Sequence, residues 1–208
     1  MAILNFPLYH ATSSIFEESI KLQGLGGCCP VKEFKAIEFL SILEEIGNKE
    51  LADNKFWNYF EFQYTISLMT NQRITDGGFN YQHGGVYLTP SIDTAVRYSR
   101  NKYGSEIISK IFETLDLFTS LDVKIDLKLL ADFQNLIALK GLTAIPVIYE
   151  INNLPIEYLS MGESGQDLDK QINRVIEDIS KFGKVIVGQQ INFRLKNQIP
   201  FEMLTKIS

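Results

Sequence analysis

The chain is short of the features that most often settle a protein's class. Two cysteines occur in 208 residues, and they are neighbours, Cys28 and Cys29. Adjacent thiols cannot close an ordinary loop disulfide, and two are too few for a structural zinc centre. They read as two small residues in a turn after Gly26 and Gly27. Of the two histidines, His83 has no cysteine or histidine nearby in sequence, so no metal site is expected. A surplus of positive charge is also missing. The net charge of −5 and pI of about 5.1 give no global field to attract duplex nucleic acid. No apolar run approaches the roughly 20 residues of a membrane span, so no membrane partner is expected. The start, Met1 to Pro7, has neither a basic n-region nor a long apolar h-region. The expected location is therefore the cytoplasm, or a target cell reached without a cleaved signal peptide. Repeats and low-complexity stretches are absent too.

What remains is an ordinary globular composition with enough apolar residues for one core. The pattern predicts a strand over 6–11 carrying His10 and a helix over 13–22 capped by Ser13 or Ser14. Helices follow over 31–47, ended by Gly47 and Asn48, and over 50–70. Residues 75–85 read as a loop and 85–89 as a strand. A helix opened by Ser91 runs toward Gly104, where glycine is costly. Further helices are expected over 105–118 and 126–139. Residues 143–151 read as a strand in which Pro146 argues for an edge or a bulge. Residues 167–182 carry the clearest helical stripe, and 184–194 read as a strand. Strands and helices interleave without regular alternation, so the class is α+β.

The most informative stretch runs from Gly84 to Tyr98: paired glycines, a short strand with Tyr87, a Thr-Pro stop and a capped helix ending in Tyr98. Upstream lies His10-Ala11-Thr12 on the first strand. Two aromatic rings brought to one cleft can sandwich a flat heterocycle. In this order, His10-Ala11-Thr12, Gly84-Gly85-Val86-Tyr87 and Ala95-Val96-Arg97-Tyr98 resemble the ADP-ribosyltransferase superfamily. Within it they are most similar to the diphtheria-toxin-like and poly(ADP-ribose)-polymerase-like branch. The resemblance spans roughly residues 8 to 206 but rests on about a dozen positions.

The resemblance implies a split mixed or antiparallel sheet, a single domain over 1–208 with a helical insertion at about 31–75, and NAD as co-substrate. It implies that His10 hydrogen-bonds the adenine-side ribose and that the backbone of Ala11 clamps the nicotinamide amide. The Thr12 hydroxyl would support the dinucleotide. Tyr87 and Tyr98 would flank nicotinamide. Ala95 stands where relatives often place a serine, so that hydrogen bond is missing. The branch usually carries a glutamate on its last core strand. Here 185–193 reads Val-Ile-Val-Gly-Gln-Gln-Ile-Asn-Phe, with no carboxylate. Strand parity favours Gln189 in that role, whereas counting back from Ile199 favours Gln190. Glu163, in the loop 160–165, reads as a solvated carboxylate.

The function so implied is a mono-ADP-ribosyltransferase acting as a toxin, effector or defence enzyme. It would pass ADP-ribose to a macromolecular acceptor, with protein favoured over nucleic acid by the acidic balance. A cognate antitoxin or inhibitor would fit that role. The alternative is a weak or inactive module that binds NAD or ADP-ribose, since the glutamate is missing. An RNA 2′-phosphotransferase ranks last, because it needs several basic groups around a phosphate.

Overall fold

A computed structural model describes residues 2–73, 81, 83–162, 165–185 and 191–207. In chain order the elements are β1 (Leu8–Ser13), α1 (Glu17–Gln23), α2 (Pro30–Glu33), α3 (Ala36–Glu50), α4 (Phe60–Thr70), β2 (Tyr87–Leu88) and α5 (Ile92–Tyr98). Then come α6 (Glu106–Ser120), α7 (Leu127–Asp132), α8 (Gln134–Ala138), β3 (Pro146–Ile151), β4 (Leu159–Met161), α9 (Leu168–Phe182), β5 (Phe193–Leu195) and β6 (Leu204–Lys206). The class is α+β with small antiparallel sheets.

The chain divides into two compact units. One comprises Met1–Cys29, Gly85–Gly104 and Ala144–Ser208; the other comprises Pro30–Gly84 and Ser105–Thr143. The helical residues expected over 31–75 thus belong to a unit that also holds 105–143. Within it, α3 packs against both α4 and α6. The reason is visible at Trp57, which is fully buried and sits 5.8 Å from the Phe118 ring of α6. Gly47, expected to stop its helix, lies inside α3 instead. A methyl there would fall within 2.2 Å of the Trp57 indole, so glycine is what lets the ring lie on the helix. Residues 51–59, expected to be helical, turn to deliver that indole, and α4 begins only at Phe60.

Among the described residues, the first unit holds all the strands. Its two sheets run β1-β3-β6 and β2-β5-β4. Every strand pairing in them is antiparallel. β1 and β3 are zipped over six residue pairs, from Leu8–Ile151 to Ser13–Pro146. Pro146 is exposed and begins its strand, a position where a missing N–H is tolerated. Leu8, Ile151, Leu88, Phe193 and Ile199 are fully buried and form much of this unit's core. α9 begins at Asp167, whose carboxylate accepts from the N–H groups of Asp169 and Lys170, and ends at Gly183 with φ +70°.

Candidate functional site

β1 meets β2 through a single bridge. Tyr9 N–H donates to the Thr89 carbonyl at 2.8 Å, and Thr89 N–H returns the bond to Tyr9 at 2.9 Å. In an antiparallel ladder the next such pair would join Ala11 to Tyr87. No strand pairing takes up that position among the described residues. Instead the Tyr87 carbonyl receives the Nδ1–H of His10 at 3.0 Å. The sheet splits here because an imidazole takes the acceptor that a backbone N–H would have used. By strand alternation Ala11 directs its N–H and C=O to the same side as Tyr9, into the split.

A carbonyl can only accept, so Nδ1 carries the proton and Nε2 is the lone-pair nitrogen. Burial pushes the His10 pKa below the ordinary histidine value, and the Tyr87 carbonyl pulls weakly the other way. At neutral pH the ring is therefore neutral. Nε2 has no protein partner among the described residues and can accept a hydroxyl hydrogen.

Tyr87 faces two ways. Its backbone looks into the split, while its register partner on β5 is Arg194. Leu195 N–H donates to the Val86 carbonyl, so Tyr87 and Arg194 form a non-hydrogen-bonded pair, the type whose side chains come closest. Both side chains fold over Gly85. A methyl on Gly85 would lie 3.0 Å from Arg194 Nε and 3.3 Å from the Tyr87 ring. Arg194 is exposed and makes no ion pair among the described residues. Sequence reasoning singled out Gly85 as one of a glycine pair but gave this guanidinium no role in the site. The signal available was a cation on the same final strand that lacks a glutamate.

After β2 the chain turns at Thr89 and Pro90 into α5. Ser91 caps it, its Oγ accepting from Thr94 N–H at 3.2 Å. Ala95 is buried on that helix, whereas the Tyr98 ring is 44% exposed at its end. α5 packs on β1. The following turns are pinned to β1 as well: Ser13 Oγ donates to the Lys102 carbonyl at 2.9 Å. Gly104 adopts φ +63°, and a methyl there would fall 3.1 Å from Thr12 Oγ1. Thr12 is buried, and its hydroxyl lies beside Gly104. Its role is to seat this loop.

The last expected group is the glutamine pair. Gln189 and Gln190 lie outside the described residues, as does Glu163. The described members of the Gln189 parity, Val185, Ile191 and Phe193, are all buried. Ile191 also reaches the site, its carbonyl accepting from the Thr89 hydroxyl at 3.4 Å. The structure therefore brings the His10 strand, the Tyr87 strand and the strand following the glutamines side by side, in the order β1, β2, β5.

In the other unit a groove of about 490 Å³ is lined by residues that include Phe56, Tyr59, Phe62 and Leu117. The two carboxylates at its edge are already matched, Glu113 with Lys110 and Asp116 with Lys140. Among the described residues no cluster of histidine, cysteine and carboxylate side chains forms a metal site, and no helix is long and apolar enough to cross a membrane. No family model matches the chain, and neither a curated protein nor a solved structure does so.

Proposed function

We propose that the strand-bearing unit is an NAD-binding domain of the ADP-ribosyltransferase type. In this reading it cleaves NAD at the nicotinamide glycosidic bond and passes ADP-ribose to a macromolecular acceptor, as a toxin, effector or defence enzyme would. The observation that carries the reading is the split beside β1. A neutral imidazole, the unpaired backbone edge of Ala11 and the Tyr87 backbone line one gap, and an amide-bearing heterocycle needs one donor and one acceptor there.

Each residue has a task. Ala11 N–H and C=O hold the nicotinamide carboxamide in the pattern a neighbouring strand would otherwise supply. His10 Nε2 accepts from a ribose hydroxyl. Tyr87 and Tyr98 bound the ring, and Arg194 stands beside Tyr87 for the phosphates. As the glycosidic bond breaks, its electron pair neutralises the pyridinium nitrogen and nicotinamide leaves. The acceptor's lone pair forms the new bond at C1′, and its proton passes to solvent.

A positive charge develops on C1′ in such a step, and a carboxylate usually steadies it. The segment 183–195 has none. Losing one preorganised electrostatic group costs about 3–4 kcal/mol of barrier in comparable sites, which leaves a slow single-unit transferase. Gln189 or Gln190 would orient the ribose through its amide. The same missing carboxylate favours a second reading, in which the domain binds NAD or ADP-ribose without turnover.

Nicotinamide release from NAD separates the two. Release that disappears in His10→Ala and rises in Gln189→Glu is expected for the transferase; a rise in Gln190→Glu alone assigns the role to Gln190. Calorimetric NAD binding lost in Tyr87→Ala, with no release by the wild type, selects the binding module. Equal NAD affinity in wild type, His10→Ala and Tyr87→Ala removes the pocket altogether.

A further inference from the structure

Between Asp93 and Glu106 the chain carries Arg97, Arg100 and Lys102 and no carboxylate, a local reversal of its acidic balance. All three side chains are exposed. None makes an ion pair among the described residues. Three exposed cations within six residues, with no carboxylate between Asp93 and Glu106, concentrate positive charge where an anion from outside can approach.

The cluster is held firmly. Arg97 and Tyr98 end α5, and Asn101 N–H and Gly104 N–H close successive turns onto the carbonyls of Tyr98 and Asn101. Ser99 and Tyr103 are buried between the exposed cations, and the Lys102 ammonium lies 5.1 Å above the Tyr103 ring. Ser13 fixes the Lys102 carbonyl, and Gly104 fits against Thr12 and Ser13. Thr12 and Ser13 directly follow Ala11, so the basic turns are anchored next to the split.

We propose that these turns dock a single-stranded nucleic acid, with Arg97, Arg100 and Lys102 on successive phosphates and a base delivered toward the split as the acceptor. This rests on the reading of the split as an ADP-ribosyltransferase site. Charge complementarity selects a polyanion. Chemistry on a base selects a single strand, since a base inside a duplex must first be extruded. The acidity of the whole chain argued for a protein acceptor; the local field, at the distance where an acceptor docks, has the opposite sign. The transfer balances as above: the base nitrogen or exocyclic amine attacks C1′, nicotinamide departs with the bonding pair, and one proton is released.

The test measures anisotropy of a labelled mixed-sequence single-stranded oligonucleotide, as DNA and as RNA, without NAD. NAD binding is measured separately by calorimetry. Three phosphate contacts to a single strand predict a slope of log K against log salt of roughly −2, or about a 20-fold loss between 50 and 200 mM salt. Arg100→Gln with Lys102→Gln lowers the slope to about −0.7 and leaves NAD affinity unchanged. Failure of the wild type to bind the oligonucleotide, or the same salt slope in the double variant, overturns the inference while the pocket stands. Wild type that binds no NAD overturns the pocket and the acceptor role with it. Label from NAD appearing on protein at equal rates in both forms assigns the acceptor to protein and likewise overturns the inference.

Discussion

Strand β1 has two unlike flanks. Toward β3 it is paired along its whole length, six residues deep, with Leu8 and Thr12 buried on the way. Toward β2 it makes one bridge at Tyr9 and then parts company. The same six residues thus serve the fold on one side and leave backbone groups uncommitted on the other. A hydrogen bond within the protein contributes only about 1 kcal/mol net, so leaving a ladder unfinished costs little if the exposed groups stay wetted or meet a ligand. A buried side chain has no such freedom. Variants on the two flanks should accordingly fail in different ways.

The largest effect belongs to the closed flank. Leu8→Ala empties a fully buried position in the zipped sheet and is expected to cost about 2–5 kcal/mol in urea denaturation. The folded fraction should still bind NAD normally. A cost under about 1 kcal/mol, or NAD affinity lost without destabilisation, would erase the contrast between the flanks.

Acid tests the open flank next. His10 has its folded pKa lowered by burial, so the unfolded chain takes up its proton first and stability falls as pH drops below about 6.5. His83, in the helical unit, is the internal standard. Burial holds it at about 4, and its Nε2 is buried without a partner. From that shift the protein should lose roughly 3 kcal/mol between pH 6.5 and 4, with no further change from this residue below that. His83→Gln should flatten the profile without touching NAD binding. His10→Gln should flatten it as well and abolish binding. A wild-type profile that rises toward pH 4 contradicts the assigned direction for both residues.

Gly104→Ala is intermediate. It asks a side chain to adopt φ +63° and sets a methyl 2.9 Å from the Ser13 nitrogen. A cost of about 1–3 kcal/mol is expected by thermal or chemical unfolding, with weaker oligonucleotide binding because the basic turns lose their seat. An unchanged melting temperature would show that the turns are not held by β1.

How far the sequence carried this picture depended on whether a signal was local. The Ser91 cap, the stripe of α9 and the strand of His10 were readable because each is written within a few neighbouring residues. Gly47 was misread as a helix stop because only the distant Trp57 explains a glycine inside a helix. The seat that Thr12 offers to Gly104 was hidden for the same reason, since Gly104 lies far along the chain. Arg194 became visible only through register, since nothing near it in sequence says that it lies opposite Tyr87. A split sheet was implied only by the resemblance, and its place beside Ala11 is written in no local stretch. Its evidence is a missing ladder pair and an imidazole bonded to a carbonyl, and both are three-dimensional facts.

The smallest expected change in stability is the most discriminating. Gly85 needs no left-handed backbone, so Gly85→Ala should alter stability by no more than about 0.5 kcal/mol. Its methyl would still lie 3.0 Å from Arg194 Nε and 3.3 Å from the Tyr87 ring, so one of the two must move. If the open flank is the ligand site, NAD affinity falls several-fold while urea and thermal unfolding stay unchanged. Comparing NAD with nicotinamide riboside, which lacks the phosphates, then tells which side chain moved. Loss for NAD alone indicts Arg194, and loss for both indicts Tyr87. Wild-type affinity for both ligands would mean that neither side chain touches them, and that a glycine beside the split serves packing alone.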